Sequence, residues 1–141
     1  MPYGQKNFAA FEQLLAEINR HAPAFTVHCG DTKLGAEPPT EALLARVKAW
    51  FDSLDGPLIY TPGDNEWTDV NRENNGRQDP LVWLANVRKL YFAEERSLGR
   101  TPLPLVTQRR DSVFSKFVEN ARWTRGGASG LKELRRAKTP P

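Results

Sequence analysis

Two short apolar runs, each ending in Gly-Asp and separated by one helix-length segment, constrain this chain more than any other feature. The first run covers residues 24–29 and ends at Gly30-Asp31; the second, Pro57-Leu58-Ile59-Tyr60, passes through Thr61-Pro62 to Gly63-Asp64. Between them Thr40 caps a segment in which Leu43, Leu44, Val47, Trp50, Phe51 and Leu54 recur at helical spacing. Strand, helix and strand at this spacing make a crossover unit, so the strands should run parallel with both Gly-Asp turns on one edge. Open α/β sheets place their ligand sites at that edge, beyond the carboxyl ends of the strands.

The flanking segments fit one α/β domain, which 141 residues suffice to build. Residues 5–20 place Phe8, Phe11, Leu14, Leu15 and Ile18 on one helical face, and Pro23 ends the helix. Asp79-Pro80 starts another helix, since aspartate caps well and proline suits the first helical position. Leu81, Leu84, Val87, Leu90 and Tyr91 supply its apolar side, with Trp83 beside them, and Ser97-Leu98-Gly99-Arg100 should close it. Residues 101–106 read as extended and 114–123 as one or two strands. The polar, Asn/Gly-rich stretch 71–78 reads as a mobile excursion beside the site, and Leu131–Lys138 as a short frayed helix in a basic tail spanning 128–141.

Charge and cysteine usage narrow the function classes. Residues 125–141 carry a balance of +4 against +3 overall, which leaves the body at −1. A nearly neutral body with a solvated basic tail does not make a groove for a phosphate backbone, so no nucleic-acid partner is expected. The single cysteine, Cys29, lies in an apolar run and has no partner for an internal disulfide. No apolar segment is long enough to span a bilayer, so no membrane partner is expected and the chain as given reads as cytoplasmic; an upstream leader and the oligomeric state are left open.

The chemistry is concentrated in Asp31 and in Gly63-Asp64-Asn65-Glu66. Gly63 lets the chain turn sharply and bring Asp64, Asn65 and Glu66 to one rim, a set of hard oxygen donors suited to Mg, Mn or an iron-type ion. Pro-Gly-Asp-Asn is also simply a turn, and on its own that reading suffices. Of the two histidines, His28 alternates with inward-facing neighbours and reads as a packed structural residue, and His21 as solvent-facing.

Gly30-Asp31 after one strand and Gly63-Asp64-Asn65-Glu66 after the next resemble the second and third motifs of the calcineurin-like metallophosphoesterase superfamily. The longer strings Val27-His28-Cys29-Gly30-Asp31-Thr32-Lys33-Leu34-Gly35, Tyr60-Thr61-Pro62-Gly63-Asp64-Asn65-Glu66-Trp67-Thr68-Asp69 and Asp79-Pro80-Leu81 look like a bacterial branch of it, over residues 2–127. The resemblance implies a hydrolase of phosphoesters with two divalent ions (Mn, Fe, Zn or Mg), helices outside two packed sheets, and a bridging hydroxide as nucleophile. It implies that Asp31 bridges both ions. In the third motif, usually Gly-Asn-His-Asp/Glu, Asp64 stands at the ligand place and Asn65 at the catalytic histidine place; a register shifted by one makes Asn65 the ligand. An amide there cannot donate a proton at neutral pH.

The family's initial strand ending in Asp, its later lone His and its Gly-His-x-His segment have no counterpart here. Residues 5–20 need a sheet to pack on, yet residues 1–4 contain no strand to feed it. The expectation is a phosphoesterase domain truncated at both ends, impaired in catalysis. The alternative is a non-catalytic fragment or adaptor that binds a partner through residues 67–78 or the basic tail.

Overall fold

The computed structural model describes residues 1–126 and the backbone of residues 128–132. Among these residues three α-helices, α1 (Phe8–His21), α2 (Glu41–Asp52) and α3 (Pro80–Tyr91), accompany five strands: β1 (Thr26–His28), β2 (Leu58–Tyr60), β3 (Val106–Thr107), β4 (Ala121–Arg125) and β5 (Ala128–Lys132). The architecture is α/β at the level of a parallel pair joined through a helix, β1-α2-β2, with an antiparallel sheet β3-β4-β5.

The helix boundaries follow local chemistry. Thr40 Oγ1 accepts the Leu43 amide at 3.1 Å and opens α2, while Asp79 Oδ1 accepts the Leu81 amide at 2.8 Å ahead of Pro80 at the start of α3. Ala22, in the left-handed region (φ 43°), ends α1 by donating its amide to Ile18 and Asn19 carbonyls, and Pro23 prevents continuation.

Period two in β2 sorts its side chains between two cores. Leu58 and Tyr60 join Val47, Phe51 and Leu54 from the α2 segment and Val87 and Tyr91 from α3 in the core on the helix side, whereas Ile59 packs with Leu103 and Trp123. Phe25 meets Trp123 edge-on, with ring centroids 5.8 Å apart. The parallel pair thus has helices against one face and apolar residues of the antiparallel sheet against the other.

Several sequence expectations change. The apolar face of α1 is only partly used: Phe8 and Phe11 lie edge-on to Trp50 at 5.0 and 5.2 Å, but Leu14 is 52% exposed. In α3, Leu81 is exposed because it occupies the first turn ahead of the packed stretch. Residues 97–100 do not close α3, which ends at Tyr91; instead Leu98 bridges antiparallel to Leu58, exchanging both amide bonds at 2.9 Å. Residues 114–123 contribute only the start of β4, preceded by turns. The segment 71–78 is tied down by short helical turns, and Asn75 at its centre is fully buried. Leu131 and Lys132 continue β5, paired with Arg122 and Ala121, where a helix was expected; residues 133–141, the rest of the basic tail, lie outside the described residues.

β1 pairs with β2 in register Thr26–Leu58, Val27–Ile59 and His28–Tyr60. Both strands therefore end level. No strand among the described residues pairs with the other edge of β1, and Val27 and Cys29 are exposed although both lie in the apolar run 24–29. Among the described residues, no helix is long and apolar enough to cross a membrane.

Candidate functional site at the two Gly-Asp turns

The level register brings the two Gly-Asp turns into contact. Thr61 donates its amide to the His28 carbonyl at 2.9 Å, the last rung of the ladder, and the chains then separate around Gly30 and Gly63. At Gly30 (φ 80°) a Cβ would lie 2.0 Å from the Gly63 nitrogen, so only glycine lets the backbones approach this closely. Asp31 follows in the left-handed region (φ 58°), one of the few residue types that enters it at modest cost. A Cβ on Gly63 would sit 2.2 Å from Asp31 Oδ1: the carboxylate lies directly against the second turn.

Asp31 and Asp64 face each other. The Asp31 carboxyl contacts that of Asp64 and accepts the Asn65 amide; its pKa is raised by burial first, then by the negative charges of Glu66 and Asp64. Asp64 is exposed and Asp31 half-buried. Tyr3 adds a hydroxyl that donates to the Asp31 carbonyl at 3.1 Å. A cleft of about 240 Å³ beside it is lined by Tyr3, Gln5, Thr32, Lys33 and Arg46 among others.

The other two members of the expected rim are placed differently. Glu66 is fully buried; its Oε1 accepts the Thr32 amide and its Oε2 the Gly63 amide, the latter at 2.9 Å. It therefore does not stand at the rim with Asp64, because two backbone donors in the interior require its oxygens. Asn65 is half-buried, and its Nδ2 donates to the Lys33 carbonyl at 3.1 Å. Asn75 continues the pattern, its Nδ2 donating to Gly35 and Asp69 carbonyls at 2.6 and 2.7 Å. Glu66, Asn65 and Asn75 thus bind three successive points of the first loop, at Thr32, Lys33 and Gly35.

Sequence reasoning missed Asn75 and Lys33. Lys33 is buried, and its ammonium donates to the Leu34 carbonyl at 3.0 Å, with no carboxylate within ion-pair distance among the described residues. Burial lowers its pKa, opposed by the charges of Glu66, Asp69 and Glu37. No signal marks either residue in advance, since Asn75 sits in a stretch of loop composition and lysine is ordinarily a surface residue. His28 is a packed residue as expected: its ring lies 4.7 Å from that of Phe51, and its Nδ1 accepts the Gly30 amide at 3.2 Å. Burial, aided by the charge of the chain's amino terminus, lowers its pKa to about 4. His21 is exposed.

As a donor set, the site offers two carboxylates whose mutual repulsion a cation would relieve, with Mg, Mn or similar hard ions matching the oxygen donors. No group of three or more His, Cys, Asp or Glu side chains suited to hold a metal occurs among the described residues. Asp31 and Asp64 together supply hard oxygen donors for at most one cation; two ions need more donors than these.

No family model matches the chain, and no solved structure matches it significantly. Among curated proteins, the 26S proteasome regulatory subunit RPN13 of Saccharomyces cerevisiae is 26% identical over 61 residues, which is 43% of this chain and 39% of that protein. The chain thus spans about two fifths of the length of the relative it matches, too little to assign a family.

Proposed function

We propose that the two Gly-Asp turns form the carboxylate half of a metal-dependent phosphoesterase site, with Asp31 and Asp64 as the ligands. The observation that carries this reading is the contact between the Asp31 and Asp64 carboxyls at the ends of adjacent parallel strands, with Asp31 destabilised as an anion. The turns do not depend on the Asp64 carboxylate, because Glu66 takes the Thr32 and Gly63 amides and Asp31 takes the Asn65 amide. A bound cation would supply charge neutralisation on phosphoryl oxygens and a water of lowered pKa. Asp31 would hold it from β1 and Asp64 from β2, while the Asn65 amide keeps the Asp31 carboxylate oriented. The Asn65 side chain serves the Lys33 carbonyl here, so it acts in the proposed site by holding the loop rather than as an acid.

The finer architecture, a sandwich of two sheets between helices, is part of the same proposal. What supports it is the layering of α2 and α3, the parallel pair, and the antiparallel sheet.

The test is titration of the chain with Mn2+, followed by calorimetry and by hydrolysis of an aryl phosphoester. Binding should weaken at least tenfold in Asp31→Asn and in Asp64→Asn, while both variants without metal remain at least as stable as the parent because like-charge repulsion is removed. Absence of Mn2+ binding below millimolar concentration, or indifference to Asp31→Asn, would remove the reading in favour of a non-catalytic binding module.

A further inference from the structure

Glu66 is the acidic residue of the second turn that the proposed ligand pair leaves without a role. It is a fully buried carboxylate that forms no ion pair with a cation among the described residues. Its two oxygens go to two different turns: Oε1 takes the amide that follows Asp31, and Oε2 takes the amide of Gly63, directly before Asp64. Each donor is thus within one residue of a proposed ligand. Behind it lies Tyr60, whose phenol is held well above its ordinary pKa by burial first and then by the Glu66 charge.

We infer that Glu66 is the positioning residue of this site, a strut that sets the separation of Asp31 and Asp64 by accepting one amide from each turn. The inference rests on the proposed metal reading for its consequence, but not for its geometry. A ligand role is closed to Glu66, because releasing either oxygen to an ion would orphan a backbone amide in the interior. The side chain's length and chemistry are both required. A glutamine offers one acceptor and one donor group, so it can serve only one turn while its amide nitrogen opposes the other N–H. An aspartate keeps both acceptors but is one methylene, about 1.5 Å, shorter.

The experiment compares the full chain with Glu66→Gln, Glu66→Asp and Leu54→Ala. Leu54 is buried ahead of β2, at the opposite end of the strand from Gly63, and so provides a loss of packing remote from the turns. Mn2+ affinity and amide hydrogen exchange at Thr32 and Gly63 are read in each. The expected result is at least a tenfold rise in the Mn2+ dissociation constant for Glu66→Gln and a smaller one for Glu66→Asp. Leu54→Ala, though less stable, should stay within twofold of the parent. Exchange at Thr32 and Gly63 should quicken at least tenfold relative to the rest of the chain in Glu66→Gln, by a smaller but selective factor in Glu66→Asp, and not selectively in Leu54→Ala. Affinity unchanged in Glu66→Gln, or lost equally in Leu54→Ala, would overturn the strut. If the parent binds no Mn2+, the metal reading fails, and the strut is decided by the exchange of the two amides: selective loss of protection upholds it and unchanged protection refutes it. Should Glu66→Gln not fold, the same readouts on Glu66→Asp decide.

Discussion

Replacing Gly30 by alanine probes the close approach on which the whole site depends. Two costs add. Alanine at φ 80° pays about 1–2 kcal/mol for the left-handed conformation. Its Cβ would also stand 2.0 Å from the Gly63 nitrogen and 2.5 Å from the Gly63 Cα, backbone atoms with no flexible end to yield, so the turns must part at an overpacking cost of about 1–3 kcal/mol. The sum is about 2–5 kcal/mol, and a domain of this size loses about 4 °C of melting temperature per kcal/mol. Gly76 supplies the control, for it has the same φ (80°) in the left-handed region, and an added methyl group would meet only the flexible end of Gln78, at 3.3 Å. Gly76→Ala therefore carries little beyond the conformational term, about 1–2 kcal/mol. Thermal unfolding followed by circular dichroism should place Gly30→Ala about 8–20 °C below the parent and well below Gly76→Ala. Amide resonances of Asp31 and Gly63 should shift in Gly30→Ala alone. Equal melting temperatures for the two variants would refute the back-to-back arrangement of the turns.

Two further perturbations test the scaffold. Arg88 holds the fully buried Glu119 by two parallel bonds, Nε to Oε2 at 2.9 Å and an Nη to Oε1 at 2.6 Å, so Arg88→Ala strands a carboxylate in the interior. It should cost about 3–5 kcal/mol in urea unfolding, most of it recovered when both residues are made leucine; a loss below about 1 kcal/mol would show the pair to be solvated. His28 has a folded pKa of about 4 against an unfolded value of about 6.5, so between those limits the unfolded chain binds a proton that the native chain does not. Its contribution is complete above about pH 6.5 and is lost as the pH falls toward 4. His28→Gln should flatten the slope of stability against pH in this window, and an unchanged slope would sink the assignment. Asp31 works in the opposite sense: its raised pKa makes the native chain take up the proton first, adding relative stability as the pH falls.

The elements that were legible in the sequence are those whose causes lie within a few residues. The caps at Thr40 and Asp79 act on amides two or three positions away, and the alternation in Leu58-Ile59-Tyr60 is visible without knowing what packs on either side. The parallel pairing of β1 and β2 followed from the crossover between them. What escaped were contacts decided at long range. A carboxylate three residues after Gly63 has the same identity whether it turns outward to an ion or inward to two amides, and the inward choice for Glu66 depends on Thr32, 34 positions earlier. Asn75 belongs to the same class, since its burial depends on the Gly35 carbonyl. Leu98 looked like the end of a helix because its bridging partner, Leu58, is 40 positions away.

The division of labour among the acidic side chains argues that the site is more than a pair of tight turns. A turn needs its amides satisfied, and Glu66 takes those of Thr32 and Gly63 while Asp31 takes that of Asn65; a close approach needs glycines, and Gly30 with Gly63 meets that need. An asparagine oxygen at position 31 could accept the same amide, so neither the charge of Asp31 nor that of Asp64 answers such a requirement. Asp31 adds a left-handed backbone, and its contact with Asp64 places two anionic groups together next to a third in Glu66, with the Lys33 ammonium engaged on a carbonyl instead of paired with any of them. Asparagine at either position would keep the local backbone preference and remove the repulsion. Local strain and like-charge contact that the scaffold does not require are features expected where a chain holds groups ready for a ligand, and a cation is the ligand that converts this particular repulsion into attraction.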